Sequence, residues 1–404
     1  MTLSKCRIVN GNLKADQEKL VLTVDFLNGQ PKVGDCIYLK EQYYLVHFYK
    51  IQKINKPLLN KHHELTLDFK EPPWMWKERI FPHIREQDNT AVCGISIEEF
   101  YNHSSPEKFD YVKQIIDFIS PDRVGDFLKS NLKYAVKLIL KDIEGQTALT
   151  KFGGLPKATA DFSFPKGKDG KSAIFIAQIN IAELNQWSQA TKEFKETGVL
   201  YFFATIKNAD EDEDEYESFE EIIVKYSSAT DNLIQIELPD DIKEYGVLEE
   251  KDLMIAEEIN IPAKETSLWN LKEMSDDERN RYWYMEAIIG EMNCFSAPKL
   301  LGHPNQIQGC VLLEAELKST HQGWFDPNGF DRENSGDIVK AAEPGARTWR
   351  HLFEIDPLNE YFRKLSNYDG EINEYMDGRF FVMIKQEHLE KLDFNNTVTI
   401  YQCT

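Results

Sequence analysis

The chain has 404 residues, 42% hydrophobic and 28% charged, with a formal net charge of −21. That composition suits a globular protein in water with room for more than one domain, and no apolar run approaches the ~20 residues that span a bilayer. The opening Met1-Thr-Leu-Ser-Lys-Cys-Arg has no apolar signal core, so a cytoplasmic location with no membrane contact is expected.

The charge is uneven. Residues 1–140 hold 20 Lys and Arg against 18 Asp and Glu, which leaves 27 against 50 for the remainder. Such a remainder repels phosphate backbones and attracts basic partners, which argues against nucleic-acid binding. Cys6, Cys36, Cys93, Cys294, Cys310 and Cys403 form no Cys-x-x-Cys pair. A zinc ribbon, a redox motif and a dense disulfide framework are thereby disfavoured, and most of the thiols read as small buried apolar groups.

Short alternating strands with tight turns fill the first 70 residues, as in Leu20 to Phe26 followed by Asn28-Gly29. They predict a small barrel or curled sheet, with Trp74 and Trp76 plugging its open end. Phe109, Val112, Ile115, Ile116 and Ile119 recur at helical spacing, with Ser105 as the expected N-cap. A short helix over Asp122 to Lys129 and a strand over Ala135 to Leu140 follow. The predicted division is a β-rich domain over residues 1–125 with a helical end and an α+β domain over residues 126–404.

The second domain is organised around Lys151 to Phe203. Gly153, Gly154 and Pro156 make a turn, Ala173 to Ile181 a buried strand with Gln178 and Asn180 on one face, and Val199 to Ile206 a second strand. The same order recurs later. Leu300-Leu-Gly-His-Pro304 echoes the turn, His351 to Asp356 echoes Phe175 to Asn180, and Asp377 to Ile384 echoes Thr197 to Phe203. An internal duplication of one α+β unit is expected. The acidic run Asp210 to Glu221 reads as a solvated loop. Ser275 and Glu278 form a capping box that opens a helix to about Glu291, with Tyr282, Met285, Ile288 and Ile289 on its apolar face. Residues 321–343 are rich in Gly, Asp and Asn and predict a long loop.

Lys151-Phe-Gly-Gly-Leu-Pro156, Phe175 to Asn180, Leu200 to Phe203, Leu300 to Gln308 and the ending Asp393 to Cys403 resemble the YwqG-like family, DUF1963, over about residues 130–404. The resemblance implies a duplicated α+β fold and no agreed activity. It further implies an immunity-type role, because some family genes lie beside secreted-toxin genes. The N-terminal segment lies outside it.

No Walker loop, nucleophile elbow, dinucleotide fingerprint or His-Glu-x-x-His motif is present. No metal or other cofactor is expected. The candidate binding set is Gly153, Gly154, Gln178, Asn180, His303, Asn305, Gln306 and Gln308, with Trp324 from the long loop. Strand amides beside a Gly-His-Pro turn can line a pocket for peptide-like groups. The simpler reading is that they bond the turn backbones. His303, His321 and His351 read as structural histidines. The functional expectation is a non-catalytic binding protein that captures a basic, toxin-like partner through its acidic surface, in an unspecified oligomeric state. The alternative is an enzyme with a site between the two repeats, using His303 with Glu354 or Asp356.

Overall fold

Leu20, Leu22 and Val24 are buried while Val21 and Thr23 between them are half-exposed, so one face of that segment turns inward. This segment is one of six strands, of which β3 and β6 are buried at every described side chain and not at alternate ones: β1 (Ser4–Leu13), β2 (Lys19–Asn28), β3 (Cys36–Lys40), β4 (Val46–Asn55), β5 (His63–Asp68) and β6 (Thr90–Gly94). They close as a barrel in the order β1-β2-β5-β4-β3-β6, every pair antiparallel, and closure removes the open edges. Ile8, Leu22, Ile37, Tyr49, Ile51 and Leu67 are among the side chains filling the interior. The computed structural model describes residues 3–13, 19–40, 46–56, 62–68, 90–143, 149–207, 218–264, 266, 268, 274–293, 298–320, 335–357, 359–368, 371–373 and 376–403. Trp74, Trp76, His321, Trp324 and the acidic run over residues 210–217 lie outside them.

The chain forms two units, residues 1–131 with 271–295, and residues 132–270 with 296–404. Unit 1 adds helices over Ile97–Tyr101, Ser105–Ile119 and Arg123–Ser130 to its barrel. The second of these is capped by Ser104, one residue before the expected Ser105, because the Glu107 carboxylate accepts the Ser104 backbone N–H at 2.9 Å. Its buried face is Tyr111, Val112, Ile115, Ile116 and Ile119, with Phe109 at the margin. Tyr38 and Tyr111 meet at 2.9 Å between their hydroxyls, and both bond the backbone of Ile95. The helix Asp276–Asn293 also belongs to unit 1. Its capping box forms as read from the sequence, with Glu278 Oε2 accepting the Ser275 N–H at 2.8 Å. Arg123 forks onto Glu278 at 2.7 and 2.9 Å, and Tyr284 donates to the Tyr38 carbonyl at 2.8 Å.

Unit 2 contains twelve strands among the described residues. They are β7 (Lys133–Lys141), β8 (Lys151–Phe152), β9 (Lys157–Ala158), β10 (Ile174–Asn180), β11 (Val199–Lys207), β12 (Ser218–Ser227), β13 (Ile234–Gln235), β14 (Asp252–Asn260), β15 (Lys299–Leu300), β16 (Trp349–Ile355), β17 (Gly378–Lys385) and β18 (Val398–Cys403). One sheet runs β12-β11-β10-β8, a larger one β14-β7-β15-β16-β17-β18, and β13-β9 is a separate pair. Both large sheets contribute to one apolar core, where the rings of Phe202 and Phe353 lie 4.1 Å apart. Thr399 of β18 links the two edge strands: its hydroxyl accepts the Ile222 N–H and donates to the Ile222 carbonyl, each at 3.0 Å.

Helices over Val311–Thr320 and Ser335–Ala346 pack Val311, Ala315 and Ala346 against Trp349, Phe381 and Ile400 of the larger sheet. The second helix corrects the expected loop of residues 321–343 over residues 335–343, while residues 321–334 lie outside the described residues. Ala342 and Ala346 are buried and Ile338 half-buried at a spacing of four, and this stripe outweighs the propensity signal of Gly336 and Pro344.

The duplication is explicit in the register. β8 pairs with β10 through Lys151↔Gln178 and Phe152↔Ala177, and β15 pairs with β16 through Lys299↔Glu354 and Leu300↔Phe353. Each receiving strand carries an irregularity at the matching place, between Phe175 and Ala177 and between His351 and Phe353. The two residues after each short strand have left-handed backbones: Gly153 and Gly154 at φ 63° and 65°, Leu301 and Gly302 at 63° and 75°.

Candidate functional site

The two turns are closed by buried lysines. Lys151 donates to the Leu155 carbonyl at 2.8 Å and to Glu250 Oε2 at 2.5 Å. Lys299 donates to the His303 carbonyl at 2.6 Å and to Asn305 Oδ1 at 2.7 Å. Both lysines are 1% exposed and both bond the carbonyl four residues on. A left-handed pair of residues turns the chain back over the ammonium, which satisfies a carbonyl that the turn would otherwise bury unpaired. The residue opposite each lysine then holds the end of the loop. Gln178 Oε1 accepts the Lys157 N–H at 2.7 Å, and Glu354 Oε2 accepts the Asn305 N–H at 3.0 Å. Lys157 and Asn305 each stand six residues after their lysine.

The candidate residues therefore divide between the two copies. Gln178 is fully buried with both amide atoms committed, since Nε2 donates to the Leu149 carbonyl at 2.7 Å. Asn180 accepts from Ala182 N at 3.0 Å and caps the short helix Ile181–Leu184. His303 is buried, and Asn305 binds Lys299. Gln306 Oε1 accepts from Val311 N at 3.2 Å, whereas its buried Nε2 has no hydrogen-bond partner among the described residues. Gln308 is exposed, and its N–H shares Gln402 Oε1 with that of Ile307, at 3.2 and 2.8 Å. Gln402 also donates to Glu314 at 2.7 Å, and burial pushes the Glu314 carboxyl up to about 7.

In the second copy the lysine is part of a buried charged row across the larger sheet. Cross-strand pairing sets Lys137 beside Lys299 and Lys299 beside Glu354, while Glu258 of β14 approaches Lys137 at 3.9 Å. All four are at most 5% exposed. Glu354 Oε1 lies 3.7 Å from Lys299 and 3.1 Å from Arg379, and its Oε2 lies 3.2 Å from His351 Nε2. His351 Nδ1 contacts the Leu301 carbonyl at 2.8 Å. Burial disfavours charge on Glu354, yet Lys299, His351 and Arg379 together hold its carboxyl well below the usual range. Glu258, with weaker partners, is raised by its burial, and burial lowers Lys299. Asp356 is half-buried with Arg379 at 3.9 Å. Glu354 and His351 are thus brought together, but both are sealed beneath the turn.

Sequence reasoning missed Lys151, Lys299, Lys137 and Glu258. A signal existed for the first two, which occupy the same place ahead of both turns. Lys137 and Glu258 come from strands remote in sequence, and only the pairing of β7 with β14 and β15 assembles the row.

On the same unit, Leu140, Asp142, Lys251, Asp252, Glu360 and Tyr361 line part of a surface cleft of about 1070 Å³. Lys251 is neutralised there by Asp142 at 2.8 Å and Glu249 at 2.9 Å. Among the described residues no cluster of three or more His, Cys, Asp or Glu is placed to hold a metal ion, and no helix is long and apolar enough to cross a membrane. Comparison with curated proteins finds no match. The family model for a domain of unknown function, DUF1963, matches residues 150–403, and the chain belongs to that family.

Proposed function

We propose that this DUF1963 member is a non-catalytic cytoplasmic binding protein that captures a basic protein through the acidic surface of unit 2, in the manner of an immunity protein. The charge division supports this reading: unit 1 carries 21 Lys and Arg against 24 Asp and Glu, unit 2 carries 26 against 44. The excess is displayed outward. Over residues 231–249, Asp231, Glu237, Asp240, Asp241, Glu244 and Glu249 are exposed, with Lys243 the one basic residue in that span. A one-signed surface of this kind accelerates encounter with a cation-rich partner and makes the complex sensitive to salt.

The test is retention of proteins from native lysate on the full chain at low and high salt, identified by mass spectrometry. The expected result is one basic protein, held at low salt, released at high salt and lost from a D231N/E237Q/E244Q variant. A blank at both salts, or capture indifferent to the triple substitution, would sink the reading.

A further inference from the structure

Trp187 is the largest exposed apolar side chain among the described residues, at 63% exposure. Its neighbours are the opposite: Leu184, Ser188, Ala190 and Thr191 are each at most 2% exposed. The backbone that carries the indole is fixed from both sides. Trp187 N and Ser188 N both donate to the Leu184 carbonyl, at 2.8 and 3.0 Å. Ser188 Oγ accepts from Ala190 N at 3.1 Å, and Thr191 Oγ1 donates to the Ser188 carbonyl at 3.0 Å. From β14, the Glu257 carboxylate takes the Ser188 hydroxyl at 2.9 Å and the Gln189 N–H at 2.5 Å on one oxygen. Its other oxygen has no hydrogen-bond partner among the described residues, although the side chain is only 6% exposed.

An indole displayed on a mobile loop loses entropy when it binds. One displayed on a pinned turn loses little, which is the property of an interface anchor. The acidic excess of unit 2 selects the occupant. The electron-rich indole is carried on a turn pinned to the buried Glu257 carboxylate, within a unit that holds 26 Lys and Arg against 44 Asp and Glu. Of the two lysines that follow the turn, Lys192 is exposed and Lys195 pairs with Glu390 at 3.3 Å. We propose that Trp187 is the anchor of the partner interface and receives an arginine or lysine side chain on its indole face. This rests on the reading of the chain as a receptor for a basic protein and names the contact.

The test is fluorescence anisotropy of a labelled hexa-arginine peptide against the full chain, with hexaglutamate as the control probe. Wild type should bind hexa-arginine alone. W187A should weaken binding about tenfold without changing the salt slope, because no charge is lost, and W187F should restore part of it. D231N/E237Q/E244Q should reduce the salt slope instead. If W187A binds within twofold of wild type while the triple variant is weakened, the anchor is wrong and the acidic receptor stands. If wild type ignores hexa-arginine at low salt, the receptor reading fails with it. Thermal melts confirm that the variants are folded, as expected for an exposed site.

Discussion

The two copies in unit 2 share a backbone and differ in electrostatics. Each has a short strand that begins with a buried lysine, two left-handed residues, and a facing strand residue that accepts the loop's returning N–H. In the first copy that residue is the neutral Gln178, and the partner of the lysine, Glu250, has a side chain 29% exposed. In the second it is the ionised Glu354, set in a row with Lys299, Lys137 and Glu258 that solvent hardly reaches. One geometry therefore serves two dielectric regimes. The backbone needs an ammonium to satisfy the turn carbonyl, but what balances that ammonium is free to vary.

The sharpest break of the comparison is to remove each lysine. K299M leaves the His303 carbonyl without its ammonium and takes one cation from Glu354, which keeps Arg379 at 3.1 Å, and should cost about 3 kcal/mol in urea unfolding. K151M should cost about 1–2 kcal/mol, because Glu250 turns to water. Equal losses would show that the lysines act through their carbonyl bonds alone.

The left-handed positions give the next largest contrast. Leu301 tolerates φ 63° in the second copy, but its counterpart Gly153 lies under the Glu249 carbonyl and the Tyr361 hydroxyl. A Cβ built there would sit 2.2 and 2.4 Å from those oxygens. G153A should lower stability by about 2–3 kcal/mol, read from the urea midpoint. A neutral result would mean that the Tyr361 segment yields.

Glu314 sharpens the comparison through pH. Its folded carboxyl is raised by burial to about 7 from an ordinary 4.5. The folded state therefore binds the extra proton, and the associated stability is present below about pH 4.5 and is lost as pH rises through about 7. E314Q should flatten the stability profile between pH 5 and 8 by about 1–2 kcal/mol. Parallel profiles for the variant and wild type would refute the shift.

The smallest effect separates two aromatic residues. Tyr201 donates to the Lys157 carbonyl at 2.9 Å, and Phe381 holds the matching place in the second copy. Y201F should cost about 1 kcal/mol in thermal or urea unfolding, one neutral hydrogen bond.

Much of this arrangement was legible in the amino acids. Glycine and proline mark both turns, and the apolar runs beside them predicted the register that pairs Phe175 with His351 and Asn180 with Asp356 as equivalents. The amides were expected to bond turn backbones, and Gln178 does so with both ends. The lysines were not legible as buried ions, because a lysine reads by default as a surface residue and its burial depends on carbonyls placed by tertiary structure. The helix Val311–Thr320 was not read from the sequence, and Ser335–Ala346 was hidden by its own glycine and proline. Trp187 is not legible as a displayed residue, because exposure is a property of the fold.

Tyr284 supplies the hydroxyl that bonds the Tyr38 carbonyl and the Val92 N–H, yet it arrives from residue 284, after the whole first copy. The edge strand β12 likewise waits for Thr399. The order in which a ribosome releases this chain is therefore not the order in which its parts are finished. During synthesis the barrel stands for about 180 residues without the helix Asp276–Asn293, and Ile222 of the edge strand β12 lacks its Thr399 partner until β18 appears. Both are the kind of surface that a nascent-chain chaperone covers, and slow synthesis would lengthen that exposure.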